Sequence, residues 1–336
     1  MLRDEARVER APDSHTATSA AGARARGALF VLAALLSLSP WGSPAAALAL
    51  GALLALLVTN PFASAGQKAS KPLLQTCVVL LGFGMELTIV LRAGATGILF
   101  AAATILATLV LGTLLGRALS VARRTSLLIS AGTAICGGSA IAAVGSVVGA
   151  GQGEMTVAIG TVFILNAVGL YVFPMLGHFF HLSEVQFGTW AGVAIHDISS
   201  VVGASSLYGP LALQTATAVK LSRALWIVPI ALGASFAFRD LKTGETQPRG
   251  KGQVPWFIGL FLLASLSRSF VPAIASLSPV LSQVARLGFT LTLFLIGAGL
   301  SRETLKAVGW RPLAQGVMLW IFISVVSLLV IVNSPW

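Results

Sequence analysis

Apolar stretches of about a membrane's thickness, separated by short polar or glycine-rich breaks, repeat along nearly the whole chain. About 20 helical residues cross the hydrocarbon core of a bilayer. On that measure the pattern predicts eleven spans. They cover residues 27–38, 44–59, 72–91, 94–115, 126–150, 155–176, 185–207, 211–238, 254–271, 281–300 and 313–332. The first is short and ends at Pro40. Residues 1–26 are polar, with charges of both signs, and read as a disordered cytoplasmic tail. They are too acidic for the leader of a signal peptide. Residues 27–336 then form one all-α, polytopic membrane domain.

Two stretches break the pattern where a spanning helix should be most apolar. Residues 131–144 read AGTAICGGSAIAAV, and residues 191–204 read AGVAIHDISSVVGA. They share the frame A-G-x-A-I-x-x-x-S. Lipid supplies no hydrogen-bond partners, so polar groups persist there only when they face protein or a wet cavity. The paired glycines Gly137 and Gly138, between Cys136 and Ser139, weaken a helix by roughly 1 kcal/mol each relative to alanine. They free the backbone to unwind, and Thr133 and Ser139 add hydroxyls. Half-helix N-termini at such a break favour anions. The plainer reading is that the glycines only let two helices pack closely.

The second stretch is more specific. An isolated Asp197 at the centre of a spanning helix costs a few kcal/mol to insert. Helical spacing puts His196 on one face with Ser199 and Ser200, and Asp197 beside them. A His/Asp pair suits proton coupling. The alternative is a structural ion pair between Asp197 and an intramembrane base. Lys220 and Arg223, three residues apart in ATAVKLSRALWIVP, share a helix face. Facing inward, they offer two positive charges to an oxyanion. Facing outward, they would snorkel to the interface. Glu86 is a further buried carboxylate candidate, and Asn166 a candidate interhelical hydrogen bonder.

Composition and charge narrow the class. Of 336 residues, 56% are hydrophobic and 10% charged, with a mean hydropathy of +0.89; soluble domains carry about 25% charged residues. The net charge of +11 gives little support for nucleic-acid binding, because most basic residues sit between apolar stretches. With the N-terminus inside, Lys68, Lys71, Arg117, Arg123, Arg124, Arg239, Lys242, Arg249, Lys251, Arg302, Lys306 and Arg311 all fall inside, as the positive-inside rule requires. Outside loops receive Arg92 and little else, and the C-terminus is placed outside. Two cysteines, both in apolar stretches, make no disulfide framework. No zinc spacing, catalytic triad or phosphate-binding loop of the GxxxxGK[ST] type is present, so no enzyme, metal, cofactor or ATP-driven pump is expected. LLGFGMELTIVLRAG (80–94) and ARLGFTLTLFLIGAG (285–299) share L-G-F in oppositely oriented spans, as inverted repeats do, whereas the CGGS and HDISS stretches come out parallel, so the repeat boundaries stay open.

Taken in order, LLGFGMELTIVLRAG, SAGTAICGGSAIAAV, AIHDISSVVGAS and ATAVKLSRALWIVP resemble the bacterial inner-membrane proteins labelled sulfate exporters, a large uncharacterised family. The likeness runs from about Pro61 to the end. It implies an inverted-repeat secondary transporter related to cation:proton antiporters and bile-acid sodium symporters, with two broken helices crossing at mid-membrane. It also implies that homodimers are common among relatives. The motif positions carried over are residues 136–139, His196, Asp197, Lys220 and Arg223. The resulting expectation is a secondary transporter, in the exporting direction, of a small anion such as sulfate, sulfite or a sulfonate, coupled to protons or sodium. Two alternatives stand beside it: a cation:proton antiporter with Asp197 as its ion site, and a membrane sensor that does not transport.

Overall fold

A computed structural model describes residues 14–39, 43–58, 60–85, 87–237, 256–299 and 308–333. Every regular element among them is a helix. In chain order these are α1 Ser14–Ser37, α2 Pro44–Leu57, α3 Ala63–Gly82, α4 Leu87–Ala118, α5 Arg123–Ala134, α6 Gly138–Val148, α7 Gln152–Phe179, α8 Glu184–Ala194, α9 Ile198–Tyr208, α10 Pro210–Ala224, α11 Ile227–Ala237, α12 Trp256–Phe270, α13 Pro272–Ala298 and α14 Trp310–Asn333. Five stretches are long and apolar enough to cross a membrane: Leu99–Ala118, Gly153–Phe179, Pro210–Ala234, Pro272–Ala298 and Trp310–Asn333.

The expected fifth and seventh spans take a different form. Each is two short helices that fold back on each other. In the first pair, a Cβ on Gly132 would meet Ile141 at 2.9 Å, and one on Gly145 would meet Leu128 at 3.5 Å. Later residues of α6 thus face earlier residues of α5, so the two helices are antiparallel arms of one hairpin. Its tip is 135–137. In the second pair, the Tyr208 hydroxyl at the end of α9 donates to the Leu182 carbonyl before α8, at 2.6 Å. The Phe187 and Tyr208 rings stack with centroids 3.8 Å apart. The tip of this second hairpin is 195–197. Arms of 11 or 12 residues reach about 17 Å, roughly half a hydrocarbon core. Each pair is therefore long enough to reach mid-depth and return, and too short to cross twice.

Polar seams hold the arms. Gly112 and Gly116 of α4 leave no room for a side chain against Ser130 and Ser126 of α5. Gln315 of α14 closes this seam, donating to the Ser126 hydroxyl at 2.8 Å and the Gly112 carbonyl at 3.0 Å. Small residues let the backbones approach, and the amide supplies a partner that lipid cannot. On the other hairpin, Gly188 and Gly192 of α8 pack against Ala212 and Ala216 of α10. These contacts advance together along both helices, so α8 and α10 run parallel. Glu184 opens α8 and also accepts from the Leu211 and Ala212 amides at the start of α10, at 2.7 and 3.1 Å. A carboxylate at two helix N-termini is favourably placed for both dipoles.

Other boundaries also shift. The expected third span ran through 83–86, whereas α3 ends at Gly82 and α4 begins at Leu87; Glu86 lies outside the described residues. Pro72, taken as a span start, lies inside α3. Residues 1–13 of the expected tail lie outside the described residues, and α1 already begins at Ser14. The two L-G-F stretches fall at the end of α3 and within α13, which are antiparallel: Gly66 faces Leu295 while Gly288 faces Cys77. The break between α10 and α11 follows from Pro229, which has no N–H for the Leu225 carbonyl.

Candidate functional site

The two hairpin tips meet. A Cβ on Gly137 would lie 3.3 Å from the His196 carbonyl and 3.4 Å from the Asp197 side chain. Gly137 has φ +68° and ψ −128°, a backbone state that side chains rarely adopt. It ends α5 through a bond from its N–H to the Gly132 carbonyl at 2.9 Å, and opens α6 through its own carbonyl, which accepts from Ile141 at 3.1 Å. The glycine pair thus makes a turn between helices. It is not a packing notch in one continuous helix.

The second tip is built around Asp197. Its carboxylate caps α9, accepting from the Ser200 amide at 2.6 Å and the Ser200 hydroxyl at 3.2 Å. Asn166 of α7 donates to the same carboxylate at 2.5 Å, and its own carbonyl accepts from the His196 amide at 3.0 Å. One amide therefore satisfies both a side chain and a backbone group that the break exposes. Asp197 is partly accessible, while His196, Ser199 and Ser200 are buried.

The expected His/Asp pair does not form. Ile195 and Asp197 are extended, with ψ of 131° and 162°, and successive side chains in extended backbone point opposite ways. Asp197 turns to Asn166 and Ser200. The His196 ring lies 6.4 Å from that of Trp320 on α14. Neither ring nitrogen makes a hydrogen bond of good geometry, the Val162 carbonyl lying beside the ring.

Lys220 and Arg223 of α10 are inward, at 0% and 1% exposure, so they do not snorkel. Both reach the C-terminal end of α5. One Arg223 amino group donates to the Ala134 carbonyl and the other to the Thr104 hydroxyl of α4, the latter at 2.9 Å. The Lys220 ammonium points at the Ile135 carbonyl at 3.4 Å, a long contact. Cations at a helix C-terminus are favoured by the helix dipole. Thr133 is buried there with its hydroxyl unpartnered.

The tips therefore gather Thr133, Cys136, Gly137, Gly138, His196, Asp197, Ser199, Ser200, Lys220 and Arg223 around one locus. Ser139 points outward from the start of α6. The shell around the locus is apolar: Val78 and Leu81 of α3, Met85, Phe261 of α12 and Phe289 of α13 pack with Ile135, Cys136, Ile198 and Leu221. In such surroundings charges interact strongly. Asn166 and Thr104 complete the arrangement and were not placed in it from sequence. Asn166 carried a signal, as the one amide within the apolar run of α7. Thr104 carried none, since hydroxyls recur along α4.

The comparisons with known proteins match the sequence to a membrane family. Residues 24–316 match the family described as Conserved hypothetical protein 698. A UPF0324 membrane protein of Bacteroides thetaiotaomicron is 47% identical over 295 residues, covering 86% of each chain. UPF0324 membrane protein Bd1437 of Bdellovibrio bacteriovorus is 48% identical over 296 residues, covering 88% of this chain and 90% of its own. UPF0324 membrane protein GSU2818 of Geobacter sulfurreducens is 45% identical over 315 residues, covering 94% and 99%. No solved structure matches. The chain belongs to the Conserved hypothetical protein 698 family of UPF0324 membrane proteins, the uncharacterised family to which its motifs point.

Proposed function

We propose that this protein is a secondary transporter of a small oxyanion such as sulfate, sulfite or a sulfonate. One observation carries the reading. The site holds two buried cations, Lys220 and Arg223, and one carboxylate, Asp197, which is engaged by Asn166 and Ser200. Among the described residues neither cation forms an ion pair; both lean on helix carbonyls. A buried charge without a counter-charge is costly. An anion seated between the tips would supply that counter-charge. The N-termini of α6 and α9, both pointing inward, add amide dipoles of the same sense.

The oppositely entering hairpins support an inverted arrangement. The α5–α6 hairpin and the crossing helix α7 are matched by the α8–α9 hairpin and the crossing pair α10–α11. On this reading nine crossings and two hairpins replace eleven crossings, and rocking of one half against the other would expose the tips alternately. Coupling to a proton or sodium ion belongs at Asp197, the partly accessible carboxylate. The test is flux: proteoliposomes loaded with labelled sulfate or sulfite should exchange anion, and Lys220→Met should not. Intact protein that moves none of these anions under any gradient would overturn the reading.

A second reading keeps the fold and makes Asp197 the ion site of a cation:proton antiporter. It is favoured by the partial accessibility of that carboxylate and the Ser200 hydroxyl beside it. Ligand linkage separates the two. Sulfate should raise the melting temperature if the cations bind substrate; sodium alone should raise it if Asp197 does.

A further inference from the structure

Away from the tips, α4, α5 and α11 enclose a cavity of about 420 Å³. Arg117 and Arg123 stand at its rim, and both are exposed. Its walls are apolar, including Leu109, Leu127 and Ile230, and among the described residues no Asp or Glu lines it. From Leu109 to Arg117 the groove runs eight residues along α4, about 12 Å. It therefore starts on the apolar flank of the bundle and ends at the basic loop. The rim also includes the start of α5, where Ala122 at the N-cap offers no side-chain oxygen to the first amides.

We propose that this groove binds an anionic phospholipid, with its phosphate at Arg117 and Arg123 and its upper acyl chain along α4 and α11. The chemistry favours a lipid over a free ion. A small hydrated anion gains nothing from Leu109, Leu127 and Ile230, whereas an acyl chain fills such walls. Basic pockets between membrane helices at the positively charged side suit anionic headgroups. Gly233 leaves the groove open, because a Cβ there would meet nothing within 4 Å. The groove wall includes Pro229, at the α10–α11 break, and Ser126, in the seam that holds α5. An occupant thus touches the α10–α11 break and the seam that holds α5. This proposal does not depend on what the tips transport.

The test uses the purified full chain in mild detergent, with bound lipid counted by native mass spectrometry. Phosphatidylglycerol should be retained and should raise the melting temperature; phosphatidylcholine should do neither. Arg117→Gln and Arg123→Gln should each weaken retention by about five-fold. Gly233→Leu should abolish it by filling the groove, with the melting temperature in lipid-free detergent unchanged. Inorganic phosphate should not displace the lipid. Undiminished phosphatidylglycerol retention in the Arg117→Gln/Arg123→Gln double variant or in Gly233→Leu overturns the proposal. Displacement by phosphate makes the cavity a free-anion vestibule and overturns it equally.

Discussion

Lys220 and Arg223 share a face of α10, yet they are not equivalent groups. Arg223 joins Thr104 of α4 to the Ala134 carbonyl at the end of α5, so it is a strut between two elements. Lysine presents a single point charge and cannot hold both. Arg223→Lys should lower thermal stability, by about 1.5–3 kcal/mol for each charged hydrogen bond lost, as read by melting temperature. Lys220 makes one long contact and holds nothing together. Lys220→Met should therefore raise stability by about 1 kcal/mol or more, by removing a buried unpaired charge. The same variant should lose any sulfate-dependent thermal shift. Asn166→Ala should remove one donor from the Asp197 carboxylate, which keeps Ser200, and leave the buried His196 amide unsatisfied, costing about 1–3 kcal/mol for that amide. That residues 136–139, Asp197, Lys220 and Arg223 interrupt apolar runs, where polar groups need partners, was legible in sequence. Which group each one meets was not. The opposite facing of His196 and Asp197 is set by the extended backbone of the break, and helical spacing gives the wrong answer there.

At the level of the element, the breaks were legible but the fold-back was not. Two glycines, or an Asp in a Ser-rich stretch, mark where a helix stops. They do not say whether the next helix continues onward or returns. Stretches of the length of 126–150 and 185–207 fit one crossing as well as two half-depth arms. What decides is packing between the arms: Gly132 on Ile141, Gly145 on Leu128, and Phe187 on Tyr208. Such long-range pairing leaves no local periodicity. Gly137 is where the first hairpin turns, so Gly137→Ala should be costly despite being a small change. The positive φ is strained for alanine, at roughly 1–3 kcal/mol. The added methyl also presses on the His196 carbonyl and Asp197 at the contact between tips. Melting temperature should fall accordingly. Gly149→Ala, also at positive φ but with nothing within 4 Å of its Cβ, should cost only the backbone strain. It should cost less on both counts, since φ 65°, ψ 42° is the left-handed helical region that alanine can enter, whereas φ 68°, ψ −128° is not.

For the whole molecule, charge asymmetry sets the expected course through the membrane and is blind to the two hairpins. Replacing a crossing at 126–150 and another at 185–207 by hairpins restores the original parity after each pair of changes. Every Lys- and Arg-rich loop stays on its side. Only two connections change sides, 149–151 and 180–183, and neither contains Lys or Arg. The positive-inside rule has nothing to act on there. The consequence is a sharp labelling test. Single cysteines at Ser120 and Gly151 should react from the same face of the membrane, because the α5–α6 hairpin starts and ends together. Cysteines at His181 and Gly209 should both react from the opposite face. The native Cys77 and Cys136 are buried and should contribute little background with an impermeant maleimide. Eleven straight crossings require the reverse at two positions: Gly151 opposite to Ser120, and His181 on the same face as Ser120. If labelling gives that pattern, the hairpins are wrong, and the meeting of their tips around Lys220 and Arg223 goes with them.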